Sequence, residues 1–319
     1  MSSPRKKPFD LIRRGEKKPT LSGTLTFIGL RLADLPLQHA LLSPTTGLGV
    51  HLLSSLGLRT IYTSPPPTIP PSLLLPVSHL LASSSYQPSR SLGWIGPLAS
   101  LPPTPLLLFL MSVGSAAKQI YWHLALSQDS FPASAAVAVS AYNTLVNAGN
   151  ALLFLALGTT SLLSPPRIAL PSFLSPFFFS SAPVESSSGG NAAAAAATAL
   201  PLSTLVGAAL YVAGMAVETL SERQRADFKS RAENKGRVCM QGLWRWARHV
   251  NYLGYALWRG GYCMVGAGWV GGALMALWQG WDLSSRAVAV QDEYCARRYG
   301  EQWVRFKREV PYRIVPGVY

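Results

Sequence analysis

The sequence predicts an all-α, polytopic membrane protein with about six transmembrane helices, the last two forming a short C-terminal hairpin. Three observations lead there. Hydrophobic residues make up 49% of the 319-residue chain and charged residues only 13%, a balance typical of membrane proteins. The cations gather in blocks with long apolar stretches between them. Several of those stretches approach the roughly 20 apolar residues that one crossing of the hydrocarbon core requires.

Residues 1–20 carry Arg5, Lys6, Lys7, Arg13, Arg14, Lys17 and Lys18, and a second block between 221 and 249 runs from Arg223 to Arg248. A third extends from Arg286 to Arg313, and the three together hold 22 of the 28 Lys and Arg residues. Basic loops between apolar spans belong on the cytoplasmic face, so both termini are expected in the cytosol. The formal charge of +14 would suit nucleic acid, but its division among loops argues against a nucleic-acid partner. Cys239, Cys263 and Cys295 form no CxxC pair and have no His pair at zinc spacing, so neither a disulfide framework nor a metal site is expected. No compact apolar segment with a small-residue cleavage site follows the basic head, so the first span is expected to serve as an anchor.

The elements follow in order. A span is expected between Leu21 and Leu58, where Arg31, Asp34, Pro36 and Pro44 interrupt the apolar pattern; an even number of crossings between the first two basic blocks requires it. Tyr62 to Pro105 is rich in Pro and Ser and reads as a loop. Leu106 to Leu126 is a span broken only by Lys118, Gln119 and His123, and Ala133 to Leu157 is a span without charge whose small residues suit close packing. Ser161 to Ser188, running into Gly189, Gly190 and the Ala192 to Ala197 tract, reads as a low-complexity insertion; the alanines alternatively begin the next helix. Leu200 to Leu220 is a further span, with Glu218 near its cytoplasmic end. Asn251 to Trp281 is apolar apart from Arg259 yet lies between two basic blocks, so it is expected to fold back at Gly266, Gly268, Gly271 and Gly272. Four regions result: a basic cytosolic terminus (1–20), an N-terminal membrane region (21–160), an insertion (161–199) and a C-terminal domain (200–319).

Chemistry concentrates in the last region. Gly242-Leu243-Trp244-Arg245-Trp246-Ala247-Arg248-His249-Val250-Asn251-Tyr252-Leu253-Gly254 places Arg, His, Asn and Tyr at the mouth of the hairpin. Arg gives bidentate phosphate contacts, His and Asn add directional hydrogen bonds, and Trp or Tyr stacks on a flat heterocycle. The same residues would also serve as headgroup anchors in an interfacial aromatic belt, and composition alone leaves both readings open.

This stretch resembles the G-L-W-x-x-x-R-H-P-N-Y-x-G-E signature of the steroid 5α-reductase C-terminal domain. Glu218, Gln224 and Phe228 fit the preceding E-x-x-x-D-x-Q-x-x-x-F pattern, with Glu222 in the aspartate position. Asp292-Glu293-Tyr294-Cys295-Ala296-Arg297-Arg298-Tyr299-Gly300, Trp303 and Val310-Pro311-Tyr312-Arg313-Ile314-Val315-Pro316 resemble the ending of the sterol reductases. The resemblance covers residues 200–319. It departs at Val250, where the family has proline, and at Tyr255, where it has an acid.

The resemblance implies an NADPH-dependent reductase of a carbon–carbon double bond in a sterol, steroid or other lipid, resident in the endoplasmic reticulum membrane. Gln224, Lys229, Trp244, Arg248, His249, Asn251, Tyr252, Glu293, Arg297 and Tyr299 would then line the cofactor site. The proton donor is expected at membrane depth, at Glu218 or Tyr142, with Tyr121 and His123 behind them. Related isoprenylcysteine-type methyltransferases share the Arg-His element, so an S-adenosylmethionine-dependent lipid methyltransferase is the alternative. The two departures also admit an inactive lipid-binding scaffold.

Overall fold

A computed structural model describes residues 20–44, 47–62, 101–127, 129–169 and 199–319. The first basic block, most of the Pro/Ser-rich stretch and most of the insertion lie outside the described residues.

Helix α1 (Leu21–Leu42) runs straight through the expected interruption. Its charges turn inward and pair: Arg31 Nη1 donates to Asp34 Oδ2 at 3.2 Å, and Gln38 Nε2 donates to Asp34 Oδ1 at 2.9 Å. At 22 residues it extends about 33 Å, enough to cover a bilayer core. The short α2 (Leu48–Ser55) follows. Helix α3 (Pro103–Tyr121) has proline in its first turn, where the missing N–H costs nothing, and passes into a π-helical turn, Trp122–Leu126. Helix α4 (Ala133–Leu155) packs against α1, and Asn147 Nδ2 of α4 donates to Asp34 Oδ2 at 2.8 Å. After the single-turn pair formed by α5 (Leu157–Leu163), strands β1 (Arg167–Ala169) and β2 (Ala199–Pro201) pair antiparallel with Ile168 opposite Leu200. Nothing in the sequence reading anticipated this strand pair, which holds the two ends of the insertion together.

Helix α6 (Leu202–Ser230) and helix α7 (Val250–Asp282) form the heart of the C-terminal region. They meet at backbone distance through glycines. A Cβ added at Gly214 would lie 2.6 Å from the Gly254 carbonyl oxygen, and one at Gly207 would lie 2.7 Å from that of Gly261. Both pairs are seven residues apart, so one face of each helix is flattened over two turns.

Helix α7 is a hairpin. Ala267 (φ −125°, ψ 20°) and Gly268 (φ 65°, ψ −164°) leave helical geometry. A Cβ on Gly260 would sit 2.8 Å from the Ala276 Cβ, and one on Gly272 would sit 2.5 Å from the Met264 Cβ. Sixteen residues of straight helix would separate Gly260 from Ala276 by about 24 Å. The two contacts are therefore possible only if the chain reverses at Gly268, one of the four glycines expected to make the turn. A π-helical turn (Leu283–Ala287) then leads into α8 (Val288–Tyr299) and α9 (Glu301–Glu309).

Helices stand at all six places where the sequence predicts a span. Two helical runs, Leu202–Ser230 and Val250–Tyr299, are long and apolar enough to cross a membrane. Beside an apolar core, the polar side chains of Arg31, Asp34, Gln38, Asn143, Asn147 and Arg259 are buried, while Leu145, Val212, Leu274, Leu277 and Trp281 are exposed. Exposed large apolar side chains together with buried charges fit a lipid surround.

Candidate functional site

The charged last three turns of α6 project beyond its apolar length, and the chain that follows wraps around them. A 3-10 turn (Gly242–Arg245) starts at Gly242, whose positive φ of 59° brings the backbone against the Gln224 amide. Gln224 Oε1 accepts the Leu243 N–H at 2.9 Å, and Trp244 Nε1 donates to the Ser221 carbonyl at 2.8 Å. These bonds fix the Trp-Arg-His segment against α6.

The two sequence motifs then meet. The Arg248 and His249 amides donate to the carbonyls of Tyr312 and Arg313 at 3.0 and 2.8 Å. Arg248 Nη1 donates to the carbonyls of Val310 and Pro311 at 2.6 and 2.9 Å. The Val-Pro-Tyr-Arg ending is thus clamped to the Arg-His pair, and the second and third basic blocks become neighbours.

Between them lies a cavity of about 230 Å³. One wall is α6, through Glu218, Glu222, Arg225 and Lys229; another is the segment from Trp244 to Tyr255; α8 and α9 close it through Cys295, Tyr299 and Trp303. Of the residues expected to hold a cofactor, Lys229, Trp244, Arg248, His249, Asn251, Tyr252 and Tyr299 line this space. Gln224, Glu293 and Arg297 do not. Gln224 holds the Gly242 turn, while Arg297 donates to Glu293 at 2.7 Å in an exposed i,i+4 pair.

The electrostatics are divided. Glu222 is engaged by Arg225 at 2.5 Å and by Asn251 Nδ2 at 2.7 Å. Arg225 in turn lies 5.1 Å from the Trp244 ring centre. Lys229 has no carboxylate in ion-pair range among the described residues; its ammonium sits 5.9 Å from the Tyr299 ring centre. Lys229 is an exposed residue, yet loss of water around the amine, together with the charges of Arg225 and Arg298, pushes its pKa down to about 8. His249 is buried, stacks on Tyr252 with ring centres 5.3 Å apart, and meets Asp292 Oδ1 at 3.3 Å. Burial lowers its pKa and outweighs the Asp292 contact, so the imidazole is neutral at neutral pH. Arg248 Nε and Asn251 Oδ1 are buried at the cavity without a hydrogen-bond partner among the described residues.

The proton-donor candidates are placed apart. Glu218 lines the cavity, pairs with Lys118 of α3 and accepts from Trp258 Nε1 at 2.6 Å. The nearby arginines of α6 go elsewhere: Arg225 pairs with Glu222 and Arg223 lies near Asp227. Tyr142 is not on this cavity; its hydroxyl accepts from Gln279 Nε2 at 2.6 Å. His123 meets Thr24 at 2.9 Å near α1, and Tyr121 is partly exposed; neither reaches the cavity. Sequence reasoning missed Arg225, Cys295 and Trp122 as lining residues; Arg225 had been visible only as one more charge in a block.

Residues 176–301 match a family described as a protein of unknown function (DUF1295). A Ustilaginoidea virens protein named probable O-methyltransferase ustE is 26% identical over 292 residues, covering 92% of this chain and 84% of its own length. The Delta(14)-sterol reductase of Neurospora crassa is 30% identical over 159 residues, covering 36% of this chain and 32% of its own. A probable 7-dehydrocholesterol reductase of Acanthamoeba polyphaga mimivirus is 31% identical over 97 residues, 30% of this chain and 21% of its own. The chain therefore spans less than a third of these sterol reductases. These matches bear out the resemblance to the steroid-reductase superfamily that the two motifs carried.

Proposed function

We propose that this chain is a membrane-embedded NADPH-dependent reductase of a lipid carbon–carbon double bond, with the cofactor held in the cavity between α6, the Arg-His segment and α8. The observation that carries this reading is Lys229: a cation without a carboxylate partner, beside Arg225 and under Tyr299, at the edge of a cavity that also holds unpartnered polar atoms of Arg248 and Asn251. A phosphate would complete the charge, and an adenine or nicotinamide ring would face Trp244, Tyr252 and Tyr299. The sterol-reductase relatives support the reaction class, and the apolar exterior supports a lipid substrate.

NADPH, when bound, supplies a hydride to one carbon of an activated alkene, and the other carbon receives a proton. Glu218 is the proposed proton-handling group, since it lies on the cavity at the membrane-ward end of α6 and shares its charge with Lys118. Trp258 orients its carboxylate through the indole N–H. The His249–Asp292 contact ties the Arg-His segment to α8, and the Arg248 and His249 amides hold that segment against the C-terminal tail. The positive-inside pattern favours cytosolic termini, and residence in the endoplasmic reticulum rests on the resemblance to the steroid-reductase superfamily.

The O-methyltransferase name of the relative with the broadest overlap favours a second reading, S-adenosylmethionine-dependent methylation of a lipid. Titration of the detergent-solubilised chain with NADPH and with S-adenosylmethionine separates the two. The proposal expects saturable NADPH binding that S-adenosylmethionine does not displace. Saturable S-adenosylmethionine binding without NADPH binding would reverse the assignment.

A further inference from the structure

We infer that Arg259 is the anchor for a carboxylate on the substrate, so that the lipid acted on is an acidic amphiphile rather than a neutral one; the inference deepens the proposed function and rests on it for the reaction.

Arg259 is wholly buried on the first half of the α7 hairpin. Its partners are all neutral. Nε donates to the Tyr255 hydroxyl at 3.3 Å, Nη2 donates to Asn143 Oδ1, and the guanidinium lies against the rings of Trp258 (4.3 Å), Tyr142 (5.2 Å) and Tyr255 (5.6 Å). Nη1 is buried with no partner. The buried carboxylate of this region, Asp34, is spent on Arg31, Gln38 and Asn147. Among the described residues the bundle interior therefore carries one positive charge with no carboxylate beside it. Burying such a charge is costly, and a charge at membrane depth is by default a functional group.

A second cavity says where the missing anion comes from. It has a volume of about 340 Å³, opens to the side of the bundle between α4 and both arms of the hairpin, and is lined by apolar side chains such as Leu153, Leu274 and Trp278. Its two polar linings are Asn150 and Cys263. Cys263 is one turn beyond Arg259 on α7, and cavity-lining Val146 is one turn beyond Asn143 on α4. Tyr142 joins the two places, since its ring contacts both Arg259 and Trp278. On the other side, Tyr255 lines the proposed cofactor cavity. Arg259 itself lines neither cavity; it is held between Tyr142, whose ring contacts Trp278 of the apolar one, and Tyr255, which lines the other. An alkyl chain fits the apolar one, and a small monoanion matches a single free charge and a single unpartnered Nη1. Tyr142 is the side chain that must swing aside to admit it.

The test uses the full chain in phosphatidylcholine nanodiscs, with cis-parinaric acid and its methyl ester as probes read by energy transfer from tryptophan. The wild type should bind the acid about tenfold or more tightly than the ester. Arg259→Gln should reduce acid binding to the level of the ester, and Arg259→Lys should retain part of the preference. Equal binding of acid and ester by the wild type overturns the inference, as does an undiminished preference in Arg259→Gln. Should the glutamine variant fail to fold, the acid-to-ester ratio of the wild type decides alone. NADPH titration of the same wild-type sample reads the cofactor assignment separately: acid selectivity without NADPH binding removes the reductase and leaves the anchor standing.

Discussion

Lys229 carries the most exposed prediction at the scale of single residues. Its pKa of about 8 belongs to a site without an anion, and a bound phosphate favours the charged form. NADPH affinity should be full below pH 8 and fall as pH rises through it, by at most about tenfold per pH unit, because binding then requires proton uptake. The groups facing the amine are Arg225, Arg298, Cys295 and Glu222, and burial pushes the Cys295 thiol above its ordinary value. Lys229→Met should weaken NADPH binding about 10- to 100-fold, the worth of a charged hydrogen bond, and flatten that pH dependence. Unchanged affinity and slope in the variant would remove the phosphate role. His249 predicts the opposite edge. Its folded pKa lies below the ordinary 6.5, so its contribution to stability is complete above pH 6.5 and is lost as pH falls below that value. The wild-type Tm should drop more steeply than that of His249→Gln between pH 7 and 5.5; parallel curves would contradict the assignment. The motif residues were legible because each carries its chemistry in its type. Arg259 was not, because a lone Arg in an apolar stretch looks the same in sequence whether it meets a carboxylate or, as here, Asn143 and three aromatic faces.

Among the elements, the hairpin tests most sharply. Gly268 has a positive φ, and an added Cβ would run into the Leu163 carbonyl oxygen of α5. Gly268→Ala is expected to destabilise the protein by about 1–3 kcal/mol or more, with loss of folded material in detergent size-exclusion and thermal-shift measurements. The α6–α7 seam makes a parallel prediction. A leucine at Gly214 would meet the Trp258 amide and the Gly254 carbonyl, pushing apart the helices that carry Glu218 and Asn251. Gly214→Leu should therefore abolish NADPH binding even where folded protein is recovered, whereas Gly149→Leu, with open space around it, should not. The turn itself could be read in advance from basic blocks flanking a 30-residue apolar run. The seam could not, because a glycine makes close contact only against a partner that sequence spacing does not name. The β1–β2 pair escaped for a related reason: three residues on each side of a long insertion carry no period to detect.

Across the whole molecule, the apolar spacing and the three basic blocks gave the positions of the helices, and helices stand at those positions. What they could not give was the direction of the charges inside them. Arg31 and Asp34 look like breaks in a span when read along the chain, and become a buried network with Gln38 and Asn147 once α1 and α4 pack. The account joins a notch proposed for the nucleotide, lined by Glu218, to an apolar cavity beside Trp278, with Arg259 held between Tyr255 and Tyr142. Its central claim is the transfer of hydride to a lipid, and isotope transfer tests that claim most directly. Membranes containing the full chain would be supplied in parallel with NADPH deuterated at the transferable position and with S-adenosylmethionine deuterated in its methyl group, and their lipids would be examined by mass spectrometry. The account predicts one deuterium from NADPH in a product two hydrogens heavier than its precursor, absent with Lys229→Met at limiting cofactor. A lipid gaining a trideuterated methyl group, with no label from NADPH, would contradict it.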